Sequence, residues 1–288
     1  MTKKKEGGQR LSELLRAPAG AVDVTALDTN SAPGYPGEGK EDAEARRAAL
    51  VPILGDLQER LYAQGRSNPE TAPRLLVVLQ GLDTSGKGGV MRHAAGLVDP
   101  QGLQHTAFKA PTAEERAHHY LWRIENALPG PGMIGFFDRS HYEDVLVVRV
   151  ENLVAPEVWG QRYDEINAWE EGLVAKGFTL VKCFLHIGAD EQKKRLLERV
   201  ENPEKYWKYN PGDLATRAKW ADYEAAYNAI LTRCNPDHAP WYVIPADKKW
   251  YKDWAVAELM REKLADLNLE WPAAEFDVAA EIERVKRS

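Results

Sequence analysis

Cysteine is scarce in this sequence: Cys183 and Cys234 are the two present, and neither lies in a C-x-x-C spacing or near a cluster of metal ligands. The sequence therefore predicts neither a disulfide framework nor a zinc site. Long apolar runs are also missing, since no segment approaches the roughly 20 apolar residues that a membrane-spanning helix needs. The residues after Met1 do not form the apolar stretch of a secretory signal. We expect a cytoplasmic protein that does not associate with membranes.

Positive charge is not in excess either. Lysine and arginine number 38 against 44 aspartates and glutamates, which gives a net charge of -6. This balance argues against a general nucleic-acid binder, and any polyanionic ligand must therefore meet a local group of cations. The 288 residues are 44% hydrophobic and 28% charged, which is typical of a soluble globular protein.

The most informative segment covers residues 74–90. Large aliphatic residues from Leu75 to Leu79 predict a strand that is buried on both faces, as in a parallel sheet. The spacing Gly-x-x-x-x-Gly-Lys follows directly and precedes a helical pattern, which is the context of a phosphate-binding loop. Glycines let backbone N–H groups approach an anion closely. We expect phosphate or nucleotide contacts from Gly81, Ser85, Gly86, Lys87, Gly88 and Gly89.

A hydroxyl is missing from this loop. Gly88 follows Lys87, where the usual P-loop has a Ser or Thr that binds Mg²⁺. Asp83 lies inside the loop instead, and a carboxylate beside phosphates is a natural ligand for Mg²⁺. The sequence therefore predicts that Asp83 replaces the missing hydroxyl as a metal ligand.

Residues 133–138 predict a second buried strand, which ends on a carboxylate as a Walker B strand does. We expect Asp138 to share Mg²⁺ with Asp83, and Arg139 to neutralise the phosphate that is transferred. Ser140 and Glu143 match a capping box, so Glu143 has a structural explanation beside a phosphate or nucleotide contact. His141 is expected to be a packing or surface residue.

Two more basic positions are candidates for phosphate binding. Lys109 follows a short strand, at the sheet edge where ligands bind in α/β proteins. Arg195 and Arg199 lie one turn apart on a predicted helix that resembles the lid of P-loop kinases. The alternative for this helix is a charged, solvent-exposed face with local ion pairs.

Strand and helix patterns alternate along the chain, which is typical of a sheet between two helical layers. We predict a P-loop kinase-like α/β fold of three layers, α/β/α, with a parallel sheet of about five strands and a helical lid at residues 190–212. A further helix is expected over residues 213–234. Residues 1–44 are expected to form a partly mobile arm, and residues 45–288 one catalytic domain.

Five segments together resemble a known family. They are GLDTSGKGG at 81–89, FKAPT at 108–112, FDRSHYEDVLVVRV at 137–150, RLLERVENPEKYWKYNPGD at 195–213 and PWYVIPADKKWY at 240–251. Over residues 45–267 the sequence is similar to the polyphosphate kinase 2 family, in particular to members that phosphorylate both nucleoside mono- and diphosphates. The resemblance implies Mg²⁺-dependent transfer between inorganic polyphosphate and a nucleotide, with ADP, ATP and AMP as nucleotides. It implies a homo-oligomer, metal and phosphate binding by Asp83, Lys87, Asp138 and Arg139, and phosphate contacts by Lys109 and Arg199.

Two other functions stay open. One is an ATP-dependent nucleotide or nucleoside kinase with the same fold, and the other is a P-loop protein that binds nucleotide without turnover. Gly88 and Asp83 depart from the loop of ordinary kinases, and a signalling NTPase normally keeps the hydroxyl after the lysine. The phosphate donor distinguishes the three functions.

Overall fold

The structure, a computed structural model, describes residues 9–288. Its five strands form one parallel sheet in the order β2-β3-β1-β4-β5. The strands are β1 Arg74–Gln80, β2 Leu103–Ala107, β3 Ile134–Asp138, β4 Phe178–His186 and β5 Trp241–Pro245. The predicted parallel sheet of about five strands with surrounding helices is confirmed.

Helices surround the sheet along the described part of the chain. In order they are α1 Leu11–Leu14, α2 Gly39–Ser67, α3 Lys87–His93, α4 Ala113–Ala117, α5 Trp122–Glu125, α6 Val147–Val150, α7 Pro156–Ala175, α8 Ala189–Glu201, α9 Gly212–Ala218, α10 Trp220–Arg233, α11 Lys249–Asp266 and α12 Val278–Lys286. Within residues 9–288, none of these helices is long and apolar enough to cross a membrane.

The core consists of two apolar clusters, one on each face of the sheet. Strand β1 contributes to both, because its side chains alternate: Leu75 and Val77 pack in one cluster, and Leu76 and Val78 in the other. Helices α2, α3 and α11 cover the first face, and α7 and α10 cover the second. Burial on both faces explains the unbroken aliphatic run of β1.

The N-terminal segment packs on the domain from residue 9 onward. Leu11 and Leu15 are buried in the first cluster. The backbone N–H of Val243 donates to the Leu15 oxygen at 2.7 Å, and that of Ala17 donates to the Trp241 oxygen at 2.8 Å. These bonds cover the open edge of β5, which would otherwise expose unpaired backbone groups. Helix α2, Gly39–Ser67, crosses the predicted boundary at residue 44. The division into an arm and a domain, and the mobility of the arm, stay predictions. Residues 1–8 lie outside the described part of the chain.

The predicted helix over residues 213–234 is two helices. The chain turns at Lys219, between α9 and α10, where neither helix has a side-chain cap. The predicted lid, residues 190–212, corresponds to α8 and a 3₁₀ segment, Pro203–Lys208, and α9 follows it directly; we call these three elements together the lid region.

Candidate active site

The loop between β1 and α3 has a backbone that requires glycine at two positions. Gly81 has φ +154°, and a Cβ there would lie 2.6 Å from the Leu185 oxygen. Gly86 has φ +103°, and a Cβ there would lie 2.7 Å from Cε of Lys252. Thr84 also adopts a left-handed φ, +67°, which costs a non-glycine residue roughly 1 kcal/mol or more. The loop is therefore held in one strained shape by its surroundings.

The other loop residues differ in what surrounds them. Gly88 is exposed with open space around its Cα, while Gly89 packs against Lys252 and Asp253 of α11. Within the described chain, the buried hydroxyls of Thr84 and Ser85 have no hydrogen-bond partner. Buried hydroxyls normally find a partner, so this loop offers unused polar groups to a ligand.

Lys87 reaches back across the loop. Its Nζ donates to the Gly81 oxygen at 2.8 Å. Burial lowers the pKa of Lys87 and Arg139 adds to the effect, while Asp138, Asp83 and Glu143 oppose it. These influences show that the predicted catalytic residues lie within electrostatic reach of one another.

The turn after β3 meets the loop directly. Leu79 of β1 pairs with Asp138 of β3, so both strands end at the same edge of the sheet. The Arg139 backbone has φ +64° and donates its N–H to the Leu79 oxygen at 3.0 Å. Nη2 of Arg139 forms an ion pair with Oδ1 of Asp83 at 2.9 Å. Burial alone would lower the pKa of Arg139, but Glu143, Asp83 and Asp138 outweigh it and raise the pKa.

The donor set at this edge fits a hard divalent cation. Asp83 uses one carboxylate oxygen in its ion pair, and the Asp138 side chain makes no hydrogen bond or ion pair with the described residues. Across residues 9–288, no group of three or more His, Cys, Asp or Glu side chains gathers as a metal site. Mg²⁺ in phosphoryl-transfer sites is commonly bound by one or two carboxylates together with water and substrate phosphates. Two carboxylates with free oxygens match that pattern.

Glu143 lies in a 3₁₀ turn, His141–Asp144, and not in a capping box as expected. The Ser140 hydroxyl accepts from the Tyr142 N–H, so the reciprocal bond of a capping box does not form. Burial raises the pKa of the Glu143 carboxyl, although Arg139 and Lys87 oppose the effect. Arg139 and Lys87 therefore influence the pKa of Glu143, a neighbourhood that the helix-cap pattern had concealed.

Asp213 is a site carboxylate that sequence reasoning missed. It is buried at the start of α9, and its pKa is raised by burial and by Asp83, while Arg199, Arg139 and Lys87 oppose the rise. The only sequence signal is an acidic residue in the first turn of a helix, where it is common for local reasons.

The three basic residues outside the turns have different surroundings. Lys109 is exposed beyond the end of β2, and its Nζ has no hydrogen bond or ion pair with the described residues. Arg199 donates through Nη1 to the Lys208 oxygen at 3.0 Å and to Oδ2 of Asp213 at 3.3 Å. Arg195 is buried and donates to the oxygens of Thr84, Ala246 and Asp247 and to Glu191. Since its nitrogens are occupied by protein oxygens, the expected phosphate contact of Arg195 is replaced by a contact behind the loop.

A buried ionic network supports the turn after β3. His141 Nε2 lies 3.1 Å from Oε1 of Glu170, and the Tyr142 hydroxyl donates to the same oxygen at 2.8 Å. Lys182 Nζ donates to Oε2 of Glu170 at 2.6 Å and to the Cys234 oxygen at 2.9 Å. Burial lowers the pKa of His141, while Glu170 opposes the effect. His141 is thus a packing residue, and a lysine inside the apolar strand β4 was the sequence signal for the network.

Comparisons with known proteins bear on the family of this chain. The family model of polyphosphate kinase 2 matches residues 39–271. An AMP/ADP-polyphosphate phosphotransferase of Meiothermus ruber is 43% identical over 258 residues, which is 90% of this chain and 94% of the relative. An ADP-polyphosphate phosphotransferase of Rhodopseudomonas palustris is 38% identical, over 87% and 88% of the two chains.

A solved structure of the same family has nearly the same fold. The crystal structure of polyphosphate kinase 2 from Arthrobacter aurescens superposes with a TM-score of 0.93 at 48% identity, and covers 97% of this chain and 98% of that one. This chain therefore belongs to the polyphosphate kinase 2 family.

Proposed function

We propose that this protein transfers phosphate between inorganic polyphosphate and adenosine nucleotides, making ATP from ADP and ADP from AMP. The family membership and the similar phosphotransferases support this function. The observation that carries it to particular residues is the Arg139–Asp83 ion pair, which joins the two turns beside Lys87 and Asp138. Phosphoryl transfer depends mainly on positioning and charge neutralisation, and these groups supply both.

The residues act in distinct ways. Lys87 and Arg139 neutralise non-bridging phosphate oxygens, and Arg199 and Lys109 bind phosphates further along the polymer. Asp83 and Asp138 would hold Mg²⁺, which supplies charge stabilisation to the transferring phosphoryl group. The acceptor is already a phosphate anion, so no general base is needed. A homo-oligomer and a cytoplasmic location stay predictions from the sequence.

Transfer is expected to be direct, without a phosphohistidine. The buried ring of His141 is hydrogen-bonded to Glu170, which removes it from a phosphate chain. His118 stacks on Trp122, with the ring centroids 4.2 Å apart. Labelled polyphosphate without nucleotide should leave no acid-labile label on the protein. Stoichiometric label that chases into nucleotide would overturn direct transfer.

The donor assay tests the function itself. Purified protein with Mg²⁺ and polyphosphate should convert ADP to ATP and AMP to ADP, and turnover should fall as salt rises because the contacts are ionic. The same assay with ATP as donor and nucleosides or nucleotides as acceptors is the control. Transfer from ATP alone would establish an ordinary kinase instead, and nucleotide binding without any turnover would establish a binding protein.

A further inference from the structure

Helix α8 presents three functional side chains along one face. Gln192, Arg195 and Arg199 follow one another at spacings of three and four residues, so they share a side of the helix. Gln192 is 1% exposed and Arg195 is 4% exposed. The Arg199 side chain is 24% exposed and lies at the lid end. The helix therefore runs from the buried base of the lid to the predicted phosphate contact.

The buried end of this face binds the backbone of the phosphate loop. Gln192 Nε2 donates to the backbone carbonyl oxygen of Asp83 at 3.1 Å. Arg195 Nη1 donates to the backbone carbonyl oxygen of Thr84 at 2.9 Å. Thr84 is the loop residue with a left-handed φ. These bonds stabilise the strained backbone and orient two successive carbonyl groups toward α8.

Both side chains are themselves fixed. Arg195 Nη2 donates to the oxygens of Ala246 and Asp247, beyond β5, at 2.7 and 2.8 Å. Gln192 Oε1 accepts from Arg217 Nη1 at 2.9 Å. Arg217 belongs to α9, so the two helices of the lid region meet at the glutamine that contacts the loop.

We propose that Gln192 and Arg195 are positioning residues for phosphoryl transfer, which fix the spacing between the Asp83–Thr84 backbone and the lid residue Arg199. The proposal rests on the proposed function and adds the means by which loop and lid stay in register. Misplacement of a reacting group by about 1 Å can cost a factor of 10² in rate. Loss of either side chain should therefore slow the reaction without removing any group that touches substrate.

The main test compares two buried glutamines. Gln58 of α2 is 2% exposed, and its amide donates to the Asp99 oxygen at 2.7 Å, so it binds an aspartate backbone as Gln192 does but lies outside the site. Gln192→Met and Gln58→Met should lower the Tm by similar amounts. Gln192→Met should lower kcat at least about tenfold, with a smaller change in KM, and Gln58→Met should leave both constants within a factor of two. Equal kinetics of the two variants would overturn the proposal.

Two further variants keep the test decisive. Arg195→Lys retains the charge, but an ammonium group cannot bind three carbonyl groups as the planar guanidinium does. This variant should therefore also have a lower kcat. In the double variant Gln192→Met with Arg199→Ala, the two losses should combine to less than their product, because Gln192 acts in part through Arg199. Fully multiplicative losses would show that the two residues act independently and would overturn the proposal.

Binding separates this proposal from the function on which it rests. Wild-type protein without turnover from polyphosphate would contradict the proposed function. The Kd for tripolyphosphate, measured by calorimetry, then decides the positioning role. Gln192→Met should raise that Kd several-fold and Gln58→Met should leave it unchanged. An unchanged Kd in Gln192→Met would overturn the proposal.

Discussion

The two turns that form the site are held in opposite ways. Each follows a buried strand, and each contains a non-glycine residue with a left-handed backbone, Thr84 in one and Arg139 in the other. The turn after β1 is bound from outside by cations and an amide that donate to its carbonyl oxygens. The turn after β3 is supported from within by the closed network around Glu170. The bonds to the turn after β1 come from the lid region and from α11, whereas the network behind the turn after β3 lies inside the core.

This difference is seen in the elements to which each turn is bonded. Lys252 donates to the Gly86 oxygen at 3.1 Å and pairs with Asp253, and burial lowers its pKa while Asp253 opposes the shift. Such bonds connect the loop to α11, while Gln192 and Arg195 connect it to α8. The network behind β3 lies on the 3₁₀ turn His141–Asp144, α7 and β4, and reaches the Cys234 backbone oxygen at the end of α10. The turn after β3 is therefore bonded to the core, and the loop after β1 to α8 and α11.

The carboxylates carried by the two turns give the most severe test of the comparison. Asp138→Asn and Asp83→Asn should each lower kcat by about 10²–10³-fold, because each removes a charge that would hold Mg²⁺. Asp83→Asn also removes the counterion of Arg139 and leaves its guanidinium free for phosphate, so it should raise the KM for polyphosphate less than Asp138→Asn does. Steady-state kinetics at saturating Mg²⁺ and circular dichroism of both variants check this. Near wild-type turnover in either would contradict the metal assignment.

The internal network is tested by removing its cation. Lys182→Met leaves Glu170 buried without its partner and should cost about 3–5 kcal/mol of unfolding free energy. Adding Glu170→Gln should recover much of the loss, because the neutral amide still serves Tyr142 and His141. Urea denaturation of the single and double variants at pH 7 gives these values. A double variant no more stable than Lys182→Met would contradict the network.

The same network predicts how the stabilities of the wild type and of Lys182→Met change with pH. Burial opposes the charge on Glu170, but Lys182 and His141 outweigh it and hold the pKa below the ordinary 4.5. This group therefore stabilises the wild type above about pH 4.5, and its contribution is lost as the pH falls through the folded pKa. In Lys182→Met the unpaired carboxyl is protonated more readily, so the gap to wild type should narrow from pH 7 to pH 5.

A smaller change in kcat/KM is expected when two basic residues of the lid region are compared. Arg199→Ala should lower kcat/KM about tenfold, since the Arg199 guanidinium donates strong hydrogen bonds to phosphate oxygens. Lys205→Ala should change it by about twofold or less, because Lys205 is paired with Glu198 on an exposed surface. Parallel kinetics with polyphosphate at one salt concentration compare the two. Equal small losses would mean that the basic helix is a solvent-exposed face.

The smallest expected effect concerns Glu143. Its folded pKa is raised by burial, so ionised Glu143 lowers stability at neutral pH, and this cost disappears as the pH falls below the folded pKa. Glu143→Gln should therefore raise the Tm by about 1–3 °C at pH 7 and lose the gain at acidic pH. Activity should fall several-fold because Arg139 loses a neighbouring charge. A lower Tm at pH 7 would contradict the assignment.

The sequence predicted the sheet and the P-loop because both depend on local patterns. The aliphatic run of β1 and the glycine spacing after it specify a strand and a loop without reference to distant residues. The break at Lys219 was not predicted, because residues 213–234 have a continuous helical pattern and the turn depends on packing of the lid region. Helix propensity is a weak guide where tertiary contacts decide.

The grouping of the site residues at one edge of the sheet was predictable from residue type and position, whereas the hydrogen-bond partners of Arg195 were not. Asp83, Lys87, Asp138 and Arg139 follow from chemistry and position in the chain. The role of Arg195 could not follow, because its helical spacing suits a phosphate contact and a backbone contact equally well. Only the three carbonyl oxygens around its guanidinium distinguish the two.

Arg139 and Asp83 are each other's counterion in this structure. A metal ion on Asp83 would free Arg139 for phosphate, and phosphate on Arg139 would free Asp83 for metal. The two ligands are then thermodynamically linked, and each should raise the affinity for the other by the same factor. A protein with a net charge of -6 can in this way admit a polyanion by exchange of partners, with no surplus of positive charge held in advance.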